Sequence, residues 1–213
     1  MKPISRKQLA TFASACHRAA KEHRLMQCSS GNMSWRVDDE RMLVSGTRTW
    51  LGEIRTDQIA VVRIADGGRL NSVKPSVEAG FHAGVLRARP DVSVVLHFQT
   101  PFATALACRR DLERVNFFVI PEIPYYIGRI ALVPFLPPGS EALARAVVAA
   151  MASHDMAILR NHGLVTVGGT FDDAFQKAVF FELASSVIVR AGDHVECLPR
   201  KDVEMLLRKP GKV

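Results

Sequence analysis

The chain has 213 residues, of which 48% are hydrophobic and 23% are charged, and its formal net charge is +7. This composition is typical of a globular domain, and the lack of a run of about 18 apolar residues predicts no membrane span. The basic residues are dispersed and are not interleaved with aromatic residues, so we expect no nucleic-acid partner and interpret the charge as a generally basic surface that weakly attracts anionic substrates.

The length suits one hydrophobic core, and we expect residues 1–213 to form a single domain. The basic N-terminal segment lacks a continuous apolar stretch, which predicts an amphipathic helix rather than a signal peptide. The cysteines are scattered and form no CxxC motif, so we expect free thiols and a cytoplasmic protein. They are Cys16, Cys28, Cys108 and Cys197.

In chain order, Ser5 is the predicted N-cap of a first helix that ends near Arg24. A small polar loop at residues 28–34 follows, and the Asp66-Gly67-Gly68 segment predicts a tight turn. Ser76 is the predicted cap of a second helix that ends near Arg87. The apolar patterns of this half predict strands at Met33–Val37, Arg41–Ser45, Asp57–Ile64 and Val92–Leu96.

A short helix is predicted after Pro101, and the next helix is capped by Ser140. Thr170 caps a long final helix, which Gly192 ends. The polar tail from His194 onward is interpreted as mobile or as reaching a partner subunit. Strands are predicted at Ile130–Val133 and Met156–Leu159, with a second β-prone run up to Val167. Helices alternate with strand pairs that resemble hairpins, which predicts an α/β fold with a mixed, largely antiparallel sheet.

Metal-capable side chains follow two of the predicted strands. His97 and Gln99 are two residues apart and therefore project to the same side of the chain. His162 precedes Gly163, whose backbone freedom permits a sharp turn. With Glu78 at the start of a helix, these groups make an open site for a divalent metal. The alternative is structural, because a histidine and a glutamine often form a hydrogen-bonded pair and a carboxylate is favoured at any helix start.

Two loops are candidate anion sites. The loop around Gly31 and Asn32 offers backbone N–H groups and hydroxyls, and the alternative is a simple turn before a strand. The segment from Ser45 to Thr49 carries Arg48, whose guanidinium can bind an anion with two hydrogen bonds. The alternative there is an ordinary surface arginine.

Four motifs in this order resemble the class II aldolase/adducin family. They are Gly31-Asn32-Met33-Ser34, Lys74-Pro75-Ser76-Val77-Glu78, His97-Phe98-Gln99 and Asn161-His162-Gly163-Leu164. The resemblance covers residues 8 to 190. It implies a three-layer α/β/α fold and a homotetramer with active sites between neighbouring subunits.

The resemblance also implies roles for individual residues. Its metal ligands fall on His97, Gln99 and His162, and its acid/base carboxylate falls on Glu78. The implied metal is zinc, with manganese, cobalt or magnesium as alternatives because an amide oxygen is a harder donor than imidazole. The implied phosphate-binding positions are Asn32, Thr47 and Ser76, with Arg48 as an added guanidinium.

The chain departs from the family pattern at four positions. Gln99 replaces the second histidine of the H-x-H motif. Compared with the fuculose-phosphate aldolases of this family, Arg48 replaces a glycine and Val77 replaces a serine. Phe118 aligns with a catalytic tyrosine, so that role is either absent or moved to Tyr125 or Tyr126.

The implied activity is metal-dependent retro-aldol cleavage of a small sugar phosphate or related hydroxy-ketone, in which a divalent cation stabilises an enediolate and a carboxylate moves the proton. Epimerisation, dehydration and decarboxylation are alternatives on the same fold. A non-catalytic adducin-like interaction domain is an alternative of a different class.

Overall fold

The structure is a computed structural model and describes residues 3–208. Its centre is a seven-stranded sheet. The strands are β1 (Asn32–Arg36), β2 (Arg41–Ser45), β3 (Ile59–Arg63), β4 (Val94–Phe98), β5 (Ile130–Val133), β6 (Met156–Leu159) and β7 (Gly163–Gly168). Their order across the sheet is β3-β2-β1-β4-β7-β6-β5. Five of the neighbouring pairs are antiparallel, and β5 and β6 run parallel.

Helices cover both faces of the sheet. Because successive strand residues point to opposite faces, Val95 and Leu96 of β4 enter two different clusters of buried side chains. The helices are α1 (Arg6–His17), α2 (Ala79–Ala88), α3 (Pro101–Ala107), α4 (Glu141–Met151), α5 (Phe171–Ala191) and α6 (Arg200–Arg208). The cluster with Leu96 includes side chains of α1, α3 and α5, and the cluster with Val95 includes side chains of α2 and α4. The predicted three-layer α/β/α architecture is confirmed.

Side-chain caps fix several helix ends where the sequence predicts them. Ser5 and Gln8 form a reciprocal capping box at the start of α1. The Ser140 hydroxyl accepts from the Leu143 N–H, and the Thr170 hydroxyl accepts from the Asp173 N–H. Gly192 ends α5 with a φ of +57°. Local hydrogen bonding thus decides these boundaries.

The predicted start of the second helix was wrong by two residues. The Ser76 N–H bonds to the Ser45 carbonyl at 3.0 Å, which ties this segment to the end of β2. Helix α2 therefore begins at Ala79, and Glu78 occupies its N-cap position without a side-chain cap bond. This shift places the Glu78 side chain beside β1 and β4.

Two further differences concern β4 and the tail. Strand β4 continues through His97 to Phe98, so His97 lies within the sheet. The tail contains helix α6, which buries Val203 against the body of the protein; residues 209–213 of the predicted tail lie outside the described residues. The four cysteines are free. Within residues 3–208, no helix has the length and apolarity that a membrane crossing requires.

Candidate metal and substrate site

Two histidines and a carboxylate meet at one end of the sheet. His97 lies near the end of β4, His162 lies in the turn between β6 and β7, and Glu78 lies at the start of α2. Their ligand atoms are all within 4.8 Å of one another. The Nε2 atom of His97 is 3.6 Å from Glu78 Oε2, and that of His162 is 3.5 Å from Glu78 Oε1. These distances are long for hydrogen bonds and suit atoms arranged around a shared cation.

The turn that carries His162 has steric requirements. A Cβ atom at Gly163 would lie 2.8 Å from Gln99 Cγ and 3.0 Å from His97 Cε1. Asn161, on the other side of His162, has a φ of +53°, a region that asparagine tolerates better than most residues. The turn therefore brings His162 onto the end of β4 because glycine follows it.

A backbone contact sets the orientation of His97. Its Nδ1 lies 2.9 Å from the Leu164 carbonyl oxygen and donates to it, because a carbonyl only accepts. This bond leaves Nε2 without a proton and free to bind a metal, as is usual for histidine ligands. The His97 and His162 rings meet edge to face with centroids 4.9 Å apart.

Unpartnered buried atoms provide a test of whether a metal fits here. Glu78 is 5% exposed, and among the described residues its Oε1 atom has no hydrogen-bond partner. The Nδ1 atom of His162 is also buried and unpartnered there, but Nε2 is the nitrogen that faces Glu78, so Nδ1 does not bear on the metal. Buried polar atoms normally have a hydrogen-bond partner, so the unpartnered Oε1 atom indicates that a ligand binds there. A carboxylate with two imidazoles is a donor set that fits a divalent cation.

Gln99 lies beside these groups. Its Nε2 donates to the His162 carbonyl at 2.8 Å. The amide nitrogen is thereby committed to the protein, and Oε1 is the atom left for a ligand. Gln99 also lines the cavity that contains both histidines.

The site favours neutral imidazoles. Burial, with a smaller contribution from His97, lowers the pKa of His162; Glu78 opposes this shift. Burial, again followed by His97, lowers the pKa of His82 to about 3. A neutral imidazole is the form that binds metal, so His162 is in its ligating form at pH 7.

The metal-capable groups open into a cavity of about 490 Å³. The structure brings every predicted site residue to its lining: Asn32, Thr47, Arg48, Ser76, Glu78, His97, Gln99 and His162. Val77 and Pro138 add apolar surface to the same lining.

The predicted anion loops differ in what they offer. The Thr47 and Ser76 N–H groups bond to backbone carbonyls, so their hydroxyls are the groups left for a ligand. The Ser76 hydroxyl accepts from the Glu78 N–H at 3.3 Å and keeps its own O–H as a donor. Arg48 is exposed with a φ of +59°, and the described residues give it no ion-pair partner. Asn32 is 8% exposed and donates from Nδ2 to Glu78 Oε2 at 2.8 Å. The Asn32 amide is therefore hydrogen-bonded to Glu78, a contact that the sequence does not predict.

The two tyrosines do not line the cavity that contains Glu78. Tyr125 and Tyr126 line a different cavity, of about 1120 Å³, together with Asp155 and Lys177 at the opposite end of the strands. Phe118 packs partly buried against the core. Among the described residues that line the Glu78 cavity there is no tyrosine.

Comparisons with known proteins agree with this fold. The model of the family described as Class II Aldolase and Adducin N-terminal domain matches residues 10–189. A 3-oxo-tetronate 4-phosphate decarboxylase of Haemophilus influenzae is 32% identical over 68% of this chain and 70% of its own length. An L-fuculose phosphate aldolase of Methanococcus vannielii is 29% identical over 82% of this chain and 91% of its own. A solved L-fuculose 1-phosphate aldolase superimposes with a TM-score of 0.82 at 22% identity, covering 96% of each chain.

Proposed function

The chain belongs to the class II aldolase and adducin family, and from that premise we propose that it is a metal-dependent lyase of small phosphorylated sugars. The favoured reaction is retro-aldol cleavage of a sugar phosphate or related hydroxy-ketone. The observation that carries the proposal is the unpartnered Oε1 atom of the buried Glu78, which faces the imidazole of His162 at 3.5 Å.

His97, His162 and the amide oxygen of Gln99 would hold the metal, with the Glu78 carboxylate close enough to join them. The bound cation supplies Lewis-acid stabilisation of negative charge that develops on the substrate oxygens. We propose zinc as the metal because two imidazoles suit it. The harder amide oxygen of Gln99 makes manganese, cobalt and magnesium the alternatives.

Glu78 is the proposed acid/base group. In retro-aldol cleavage its carboxylate takes the proton from the substrate hydroxyl as the carbon–carbon bond breaks and the aldehyde leaves. The electron pair of that bond remains on the other fragment as an enediolate. Glu78 then returns the proton to carbon, so one carboxylate suffices for both transfers. Its burial keeps water away from the reacting groups.

The phosphate of the substrate is proposed to lie at the outer part of the cavity. Thr47 and Ser76 offer hydroxyl groups there, and Asn32 has a second amide hydrogen that its bond to Glu78 does not use. Arg48 is the cation within reach. A guanidinium binds phosphate or carboxylate oxygens through two parallel hydrogen bonds.

Decarboxylation is the second candidate reaction. Four curated relatives named 3-oxo-tetronate 4-phosphate decarboxylase are 28% to 32% identical to this chain. Loss of carbon dioxide from a 2-hydroxy-3-oxo acid leaves the same kind of enediolate, and only its carbon must then be protonated. A cavity that has Glu78 and no tyrosine among its described lining residues is well matched to that smaller demand.

A non-catalytic, adducin-like role is the alternative from another class. In that case the Glu78 carboxylate and both imidazoles would have only a structural role. Burying a carboxylate oxygen without a hydrogen-bond partner is costly, which argues against this alternative. Metal analysis of the purified protein separates the two, because a scaffold without metal would contain less than stoichiometric amounts of any divalent ion.

We also propose that the protein is a cytoplasmic homotetramer made of single-domain chains. Support comes from large apolar side chains that are exposed in the isolated chain. The most exposed are Val77, Phe135, Trp50, Met205 and Leu183. Assembly would cover such surface.

The direct test is a substrate screen with zinc, manganese, cobalt and magnesium added separately. Phosphorylated and unphosphorylated ketoses and phosphorylated 3-oxo acids are supplied, and aldehyde and carbon dioxide are both measured. The proposal expects one of these products, metal-dependent and absent after chelation. Aldehyde release supports retro-aldol cleavage, carbon dioxide release supports decarboxylation, and neither product with any metal contradicts the proposed activity.

A further inference from the structure

A chain of side-chain hydrogen bonds ends on the carboxylate of Glu78. The Ser34 hydroxyl lies 2.8 Å from His82 Nδ1, and His82 Nε2 lies 2.5 Å from Asn32 Oδ1. The Nδ2 atom of Asn32 then lies 2.8 Å from Glu78 Oε2. All four residues are at most 8% exposed, so water does not compete for these bonds.

The sequence spacing explains how the chain of bonds forms. Asn32 and Ser34 are two apart on β1 and therefore point to the same face of the sheet. Glu78 and His82 are four apart at the start of α2 and lie on one side of that helix. The start of α2 lies over β1, so that Asn32 contacts both Glu78 and His82, and His82 also contacts Ser34.

The direction of every bond follows from the charge of Glu78. An ionised carboxylate only accepts, so the atom of Asn32 that faces it must be the Nδ2 donor. The Oδ1 atom of Asn32 then faces His82, which must donate from Nε2. The Nδ1 atom of His82 is left as an acceptor, and the Ser34 hydroxyl donates to it. One arrangement satisfies all four groups.

We propose that His82 is a positioning residue that, through Asn32, holds Oε2 of Glu78 in place and presents Oε1, the carboxylate atom without a hydrogen-bond partner among the described residues, to the substrate. His82 is fully buried and does not line the cavity, so it acts on the reaction only through Asn32. The inference rests on the role proposed for Glu78. It adds which oxygen of that group exchanges the proton and which residues select it.

Loss of His82 would free the Asn32 amide to rotate. With its oxygen turned towards Glu78, Asn32 would repel the carboxylate instead of holding it, and both Glu78 oxygens would become mobile. The turnover number should then fall, because the productive geometry is populated less often. The KM should change less than kcat, because the proposed phosphate contacts of Thr47, Ser76 and Arg48 remain and only that of Asn32 is disturbed.

The first experiment needs no activity. Ring-nitrogen NMR spectra of the 15N-histidine-labelled, metal-free protein at pH 7 should show His82 neutral with its proton on Nε2. Addition of zinc should shift the His97 and His162 signals and leave the His82 tautomer unchanged. A proton on Nδ1 of His82 would reverse every bond of the chain and overturn the inference. This measurement uses the unaltered protein and holds even if a variant fails to fold.

The second experiment compares His82→Phe with His82→Gln in zinc-loaded protein, with rates normalised to bound metal. Phenylalanine removes both ring bonds, and kcat should fall roughly 10- to 100-fold with a smaller change in KM, the usual size of the effect when a residue that orients a metal-site group is lost. Glutamine can donate to Asn32 from the same place, so it should restore most of kcat. Equal losses in both variants indicate packing alone and contradict the inference.

The control that separates the two proposals is Glu78→Gln. If Glu78→Gln abolishes turnover and His82→Phe retains full kcat, the positioning role is wrong and the proposed function stands. If Glu78→Gln retains turnover, the acid/base role proposed for Glu78 is wrong, and so is the positioning role that rests on it, while the NMR spectrum still tests the hydrogen-bond chain by itself.

Discussion

The burial of His82 should make the metal-free protein sensitive to mild acid. Burial lowers its pKa from 6.5 to about 3. Below pH 6.5 the unfolded chain therefore binds a proton that the folded protein does not bind. The free energy of unfolding must then decrease as the pH falls from 6.5 towards 3, and above pH 6.5 the residue contributes no pH dependence.

The magnitude follows from the width of this window. At pH 5, about 1.5 units below the ordinary pKa of 6.5, protonation of this residue stabilises the unfolded state by about 2 kcal/mol. Carboxylates contribute little above pH 5, because the shifted ones, such as Asp155, have pKa values lowered from 3.8. His162 acts in the same direction as His82 because its pKa is also lowered.

The assay is urea-induced unfolding at pH 7.0 and pH 5.0 in the presence of a chelator, for the original protein and for His82→Gln. The quantity compared is the change in unfolding free energy between the two pH values, so a general loss of stability in the variant cancels. The change should be about 2 kcal/mol smaller in His82→Gln. Equal changes in the two proteins would show that His82 is protonated in the folded state and refute the reasoning.

Three further predictions concern the site itself. Glu78→Gln should keep the bound metal and lose about 100- to 10,000-fold in kcat, because no other described carboxylate lines the cavity. Glu141→Gln, at an exposed position, is the control. Unchanged turnover in Glu78→Gln would remove Glu78 from the mechanism. Gln99→His should tighten zinc binding in calorimetry relative to manganese and magnesium, since imidazole replaces an amide oxygen; an unchanged affinity would mean that Gln99 is not a ligand. Arg48→Gln should raise KM for a phosphorylated substrate about tenfold, because one charged hydrogen bond is lost. Arg24 is also exposed and has a positive φ, so Arg24→Gln is the control and should leave KM unchanged. The same KM in both variants would place the phosphate elsewhere.

Local patterns in the sequence predict most of the elements. The caps Ser140 and Thr170 fix helix starts through their own hydroxyls, so they can be recognised without knowledge of the fold. Ser76 carries the same signal, but a tertiary bond to Ser45 overrides it and moves the helix start to Ala79. Helix α6 was missed because it is polar and is anchored mainly through Val203.

The sequence likewise predicts the main residues of the candidate site but not all of the contacts between them. The motifs indicate that His97, His162 and Glu78 belong together, and the structure brings them within a few ångströms. The link from His82 through Asn32 to Glu78 depends on how α2 lies over β1, which no spacing within either segment specifies. The orientation of the Gln99 amide likewise depends on the His162 carbonyl, which is 63 residues away in sequence.

The most direct test of the metal site is anomalous diffraction at the zinc absorption edge from crystals of the zinc-loaded protein. The account predicts one peak per chain at ~2.0–2.1 Å from Nε2 of both His97 and His162, with an oxygen of Gln99 or Glu78 completing the coordination. A peak bound to other residues, or none between these two imidazoles at saturating zinc, would contradict it.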